Sequence, residues 1–130
     1  FDNVYELLDS LDSREIDYGV VTNKSSRFTI PLLSQFDLLR RMKTLVCGDE
    51  VNNRKPDPEP LIKALDKTEN SYNTSNVYYV GDAEKDITAA IAADIRSIAC
   101  TYGYRDANDN PTSWKSEFII NNIMTVNEIV

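Results

Sequence analysis

Histidine is absent from all 130 residues, which excludes a histidine base, a histidine nucleophile and a histidine metal ligand. No apolar run approaches the roughly 18 residues of a membrane-crossing helix. No charged-then-apolar leader opens the chain. The expected protein therefore has no membrane partner and works in the cytoplasm. Positive charge is scarce: 14 Lys and Arg stand against 21 Asp and Glu, a net charge of −7. A nucleic-acid binder carries a basic face, and this balance speaks against one. The two cysteines, Cys47 and Cys100, each close an apolar run and read as free, buried thiols. Methionine occurs only at positions 42 and 124, and residue 1 is Phe. A translation product starts with Met, so the expectation is that upstream residues have been removed.

What is present describes an ordinary globular domain. Hydrophobic residues make up 42% and charged residues 27%, a composition that supports one core in a chain of this length. Asn3 to Arg14 carries Val4, Leu7, Leu8 and Leu11 at helical spacing. Asp17 to Thr22 reads as a buried strand, and Ser25 to Gln35 as a helix with Ser25, Ser26 and Thr29 as cap candidates and Pro31 in its first turn. Thr44 to Cys47 is a second strand, followed by a stiff loop, Arg54-Lys55-Pro56-Asp57-Pro58. Glu59 to Lys67 is a helix with Leu61, Ile62 and Leu65 on one face. Val77 to Val80 is a third strand, Glu84 to Ala93 an alanine-rich helix, and Ile95 to Thr101 a fourth strand. Tyr102 to Ser116 is irregular. Phe118 to Ile120 and Val126 to Val130 form a last strand and helix. This alternation predicts an α/β domain with a parallel sheet covered on both faces.

Open parallel sheets bind ligands at the carboxyl ends of their strands. Thr22, Asn23 and Lys24 stand after the first strand, Gly48 and Asp49 after the second, and Gly81, Asp82 and Asp86 after the third. Asp82 and Asp86 are four residues apart and can share a helical face. Such a carboxylate pair suits Mg²⁺, which binds through one or two carboxylates plus waters and a phosphate. The alternative is a capping Asp82 and an Asp86 paired with a nearby cation. Thr22 and Asn23 can donate to a phosphoryl oxygen or open a turn. Lys55 is a cation on a proline-stiffened loop. Together they supply a hydroxyl donor, a cation and a carboxylate pair, the parts of a phosphate-handling site.

The pieces V-V-T-N-K at 20–24, R-K-P-D-P-E-P at 54–60, Y-V-G-D-A-E-K-D-I at 79–87 and T-Y-G-Y at 101–104 resemble the haloacid dehalogenase superfamily of phosphatases, in its phosphoglycolate-phosphatase-like branch. The resemblance implies a Rossmann-like parallel sheet sandwiched by helices, with residues 1–130 forming part of that core domain. It implies that Thr22 and Asn23 contact the phosphoryl group or its loop, that Lys55 bridges phosphate and nucleophile, and that Asp82 and Asp86 hold Mg²⁺. The implied reaction is hydrolysis of a small phosphorylated metabolite, foremost 2-phosphoglycolate, through an aspartyl-phosphate. Ala83 and Asp94 stand where the family often has Ser and Gly. The family's D-x-D-G-T motif, with its nucleophilic Asp on the central strand, does not occur in the chain, nor does the substrate-choosing cap. The expectation is a truncated core, incomplete at its central strand and inactive alone. The strands at 17–22 and 77–80 should then pair directly or leave open edges that favour self-association.

Two other classes were weighed. A receiver-type signalling domain also combines Asp, Thr and Lys-Pro around Mg²⁺, but in the opposite order along the chain. A non-catalytic interaction module of the same fold would have little reason to keep Thr22, Lys55, Asp82 and Asp86 together.

Overall fold

A computed structural model describes residues 1–103 and 106–130. Tyr104, the last residue of T-Y-G-Y, and Arg105 lie outside the described residues. Helices and parallel strands alternate, as the apolar periodicity predicts. The helices are α1 (Val4–Ser13), α2 (Ser26–Gln35), α3 (Glu59–Asp66), α4 (Glu84–Ala92) and α5 (Val126–Ile129). The strands are β1 (Gly19–Val21), β2 (Thr44–Val46), β3 (Tyr78–Gly81), β4 (Arg96–Cys100) and β5 (Phe118–Ile120).

The strands form two half-sheets. β1 pairs with β2, Val20 opposite Leu45. β3, β4 and β5 pair in that order, with Val80 opposite Ile98 and Ala99 opposite Ile119. β1 and β3 do not pair, so of the two expected outcomes the open edges are the one realised. Between them runs an apolar slot of about 700 Å³. Val20 and Val21 line one wall, Tyr79 and Val80 the other, with Leu11 at one face and Leu61 at the opposite face. The amide of Thr22 bonds Val46 in β2. Backbone groups alternate sides along a strand, so the carbonyl of Val21 faces the slot.

Burial follows the same division. β4, flanked by strands on both sides, is buried from Ser97 to Cys100, whereas β1 and β3 have no fully buried residue. The period-2 alternation of a strand sends Ile98 and Cys100 toward Leu7 and Leu11 of α1, Ile120 and Val126. It sends Ala99 toward Ile87 of α4 and Trp114. On that second face Leu61 of α3 packs on Ala89 and Ala90 of α4, with Val21 and Tyr79 beside them. The alanines let α4 lie close to its neighbours. Cys47 and Cys100 are free and buried. Burial raises the pKa of both thiols, which makes them poor nucleophiles.

Three local expectations need correction. Pro31 is the sixth residue of α2, not part of its first turn. The helix begins at Ser26, one residue after its expected start, where the Asp49 carboxylate accepts from the Ser26 amide at 2.8 Å and its hydroxyl at 2.6 Å, so Pro31 falls in the second turn. For the same reason the cap comes from Asp49, across the chain, while the side chains of Ser25, Ser26 and Thr29 do not cap the helix: Thr29 instead donates back to the Ser25 carbonyl at 3.0 Å. Ile62 is exposed, and α3 buries Leu61 and Ala64 instead, because a short helix against a sheet edge covers only a narrow stripe.

Candidate active site at the strand ends

Loops following β1, β2 and β3 meet at one end of the half-sheets. The Asn23 side chain joins two of them. Its amide donates to the Lys55 carbonyl at 3.0 Å and its oxygen accepts from the Lys55 amide at 3.1 Å. Both ends of the carboxamide are thereby spent on the Lys55 backbone. Pro56 follows through a cis peptide bond, and Asp57 accepts from the Glu59 amide to start α3. Glu59 in turn accepts from the amides of Asn52 and Asn53, so the loop is held from both sides.

The Lys55 ammonium is buried and donates to three oxygens. These are Asp86 Oδ1 at 2.7 Å, Tyr79 Oη at 2.8 Å and the Val21 carbonyl at 3.3 Å. An ammonium has three protons, so the protein accounts for all of them. The second Asp86 oxygen accepts from the Ala83 amide at 3.2 Å, at the N-terminus of α4. A buried ion pair persists only when its geometry and remaining hydrogen bonds offset the desolvation of both charges. Here the two groups meet with every proton and both oxygens partnered.

Thr22 directly follows Val21, at the end of β1. Its hydroxyl oxygen accepts from the Lys24 amide at 3.1 Å, which leaves the hydroxyl proton to donate. Asp82 is half-buried, and among the described residues its carboxylate has no hydrogen bond or ion pair. Asp82 and Asp86 thus differ. Asp86 is committed to Lys55 and the Ala83 amide, and Asp82 is available. No group of three or more Asp, Glu or Cys side chains gathers as a metal cage among the described residues. The donor set fits a hard, water-rich cation such as Mg²⁺, which takes one or two carboxylates and fills its remaining positions with water and phosphate oxygens.

The chain has four glycines, and three press on these residues. A Cβ at Gly81 would overlap the Asp86 side chain, one at Gly103 the Asp82 carboxylate, and one at Gly48 the Asn23 carbonyl. Gly103 also holds φ at 123°, a conformation that side chains resist. Tyr79 is the site residue the sequence reading missed. In V-Y-Y-V it passes for an apolar strand residue, and its one signal is a polar tip inside a buried run. Burial, and then the charges of Asp86 and Asp82, push its hydroxyl pKa far above the ordinary value, so it stays a neutral phenol.

A parallel sheet covered by helices, with a buried lysine–aspartate pair at its strand ends, is an α/β fold of the Rossmann-like class. The family model of haloacid dehalogenase-like hydrolases matches residues 1–100, and the chain belongs to that family. It is 38% identical over 130 residues to an N-acetylmuramic acid 6-phosphate phosphatase of Pseudomonas putida, covering 100% of this chain and 57% of that protein. It is 37% identical over 120 residues to a phosphoglycolate phosphatase of Xanthomonas campestris pv. campestris, covering 92% and 53%. A crystal structure described as a predicted phosphoglycolate phosphatase, from Haemophilus somnus, superposes with a TM-score of 0.89 at 27% identity, covering 99% and 56%. The chain therefore spans little more than half the length of the relatives it matches. Both curated relatives carry the name of a phosphatase.

Proposed function

We propose that the protein carrying this chain hydrolyses the phosphate monoester of a small metabolite with Mg²⁺, and that these residues are its phosphate-binding and metal-binding half. The observation that carries the reading is the Lys55–Asp86 pair, held buried at the strand ends, where the Thr22 hydroxyl follows β1 and the Asp82 carboxylate, without a hydrogen bond or ion pair among the described residues, follows β3. In this reading Thr22 donates its hydroxyl proton to a phosphoryl oxygen. Lys55 offsets the negative charge there, a fixed charge in a site that excludes water. Asn23 holds the Lys55 loop in place through the contacts described above. Asp82 and Asp86 would hold Mg²⁺, which when bound neutralises the phosphoryl oxygens. The nucleophilic aspartate is not among these residues. The slot between β1 and β3 supports its arrival on an extended segment that completes the sheet.

2-Phosphoglycolate is the first substrate to test. N-acetylmuramic acid 6-phosphate is the second, because a relative 38% identical over the whole chain carries that name. Both are phosphate monoesters bearing a carboxylate. The test is phosphate release by the full-length protein from each compound, with and without Mg²⁺, beside the same assay on residues 1–130. We expect Mg²⁺-dependent release by the full-length protein, its loss in Asp82→Ala, and none from residues 1–130 alone. Release by the isolated chain that disappears in Asp82→Ala overturns the assignment of the nucleophile to another segment. No release of phosphate from any monoester by the full-length protein overturns the function, and leaves a non-catalytic module of the same fold.

A further inference from the structure

The slot wall carries a buried polar group with no assigned role: the hydroxyl of Tyr79. It donates to the Val21 carbonyl at 3.1 Å and accepts from Lys55 Nζ at 2.8 Å. The first bond decides the second. With its only proton spent on Val21, the phenol turns a lone pair toward Lys55. The ammonium lies 5.3 Å from the ring centroid but 2.8 Å from the hydroxyl oxygen. It therefore sits near the line of the C–O bond and not above the ring, and the oxygen is what it meets.

The three bonds to the ammonium are unequal. Those to Asp86 and Tyr79, at 2.7 and 2.8 Å, are short and come from side chains on α4 and β3. The third, to the Val21 carbonyl, is 3.3 Å long and shares its acceptor with the phenol. It is the one a better acceptor displaces most easily. Val21 directly precedes Thr22, so that N–H is released at the end of β1, where Thr22 follows.

We propose that Tyr79 is the positioning residue of Lys55. Tyr79 and Asp86 grip the ammonium at two points, and the remaining N–H is aimed at the anion beside Thr22. With Asp86 alone the ammonium pivots about a single bond and that direction is lost. The step involves hydrogen bonds only. Its catalytic consequence rests on the phosphatase reading, whereas the orientation of the ammonium does not.

The test uses the full-length protein with ¹⁵N-labelled lysine, and Tyr79→Phe, which keeps the ring and removes the oxygen. Two quantities are read. The first is the Lys55 ammonium resonance, visible by NMR when its protons are held from exchange. The second is the kcat and KM for phosphate release. We expect the resonance to be lost or strongly shifted in Tyr79→Phe, kcat to fall about tenfold and KM to change less than twofold. A merely structural tyrosine would lower the melting temperature and leave kcat of the folded protein unchanged. An unchanged resonance, or an unchanged kcat in an active folded variant, overturns the proposal. If the wild type releases no phosphate but the resonance responds as expected, the phosphatase reading fails and the positioning of Lys55 is supported. If Tyr79→Phe does not fold, 3-fluorotyrosine at position 79 keeps the shape and weakens the acceptor. A Lys55 resonance that fails to shift there also overturns the proposal.

Discussion

Lys55 and Asp86 hold each other out of water, so each is costly without the other. Lys55→Met leaves a buried carboxylate with no counter-charge, a loss of about 3–5 kcal/mol. The expected outcome is a variant that unfolds at much lower urea concentration than the parent. Adding Asp86→Leu removes the stranded charge, and the double variant should regain most of that stability. A cycle in which the two losses simply add would contradict the coupling seen in the structure. This pair also shows what a sequence exposes of a site and what it hides. The Lys-Pro and Gly-Asp-x-x-x-Asp spacings mark both residues. Of the readings left open for Asp86, the ion pair is the one the structure shows, and its partner is Lys55. That partnership joins residues 31 positions apart, and a fold is needed to see it. Tyr79 was hidden more completely, because a phenol inside an apolar strand has the hydropathy of core.

Helix ends carry two predictions. α4 stops at Ala93, and Asp94 follows in the left-handed region at φ 56°. That is the position after a helix where glycine is favoured and most side chains are strained. Asp94→Gly should therefore stabilise the chain by about 0.5–1 kcal/mol, read as a rise of several degrees in melting temperature. α2 begins on the Asp49 carboxylate. The hydroxyl and then the amide of Ser26 hold its pKa below the usual value. A carboxyl whose pKa is lower folded than unfolded stabilises the fold above its unfolded pKa and loses that contribution as pH falls through the folded value. The cap should persist through neutral and mildly acidic pH and fail below the ordinary carboxylate range. In a titration, the Ser26 amide resonance and its exchange protection should change together there, and in Asp49→Ala they should be altered at every pH. Element type and order were readable because hydrophobic period and length agree in each segment. β5 was readable to the residue. The cap of α2 was not, since it comes from the loop after β2, and Pro31 falls in the second turn of the helix, not the first.

At the scale of the whole molecule the defining feature is the slot between its half-sheets. Both edges offer unpaired backbone groups to whatever extended chain comes near. For residues 1–130 alone we expect concentration-dependent association, seen as a rising weight-average mass in sedimentation equilibrium. Adding a segment that completes the sheet should suppress it, and a monomer at every concentration would count against open edges. An opening between β1 and β3 was legible as one consequence of the absent D-x-D-G-T motif. That the two halves stay apart, joined across both faces by helices, was not, since direct pairing of β1 and β3 satisfied the same sequence. The slot also has a volumetric consequence. Pressure favours whichever state occupies less volume, and the volume released on unfolding scales with the voids the native state holds. The slot of about 700 Å³ is half open to solvent, so the part of its apolar lining that water leaves unfilled sets the pressure sensitivity, and hydrostatic pressure becomes a gauge of how full the molecule is. Filling the slot should raise the midpoint of pressure unfolding even where the midpoint of thermal unfolding moves little.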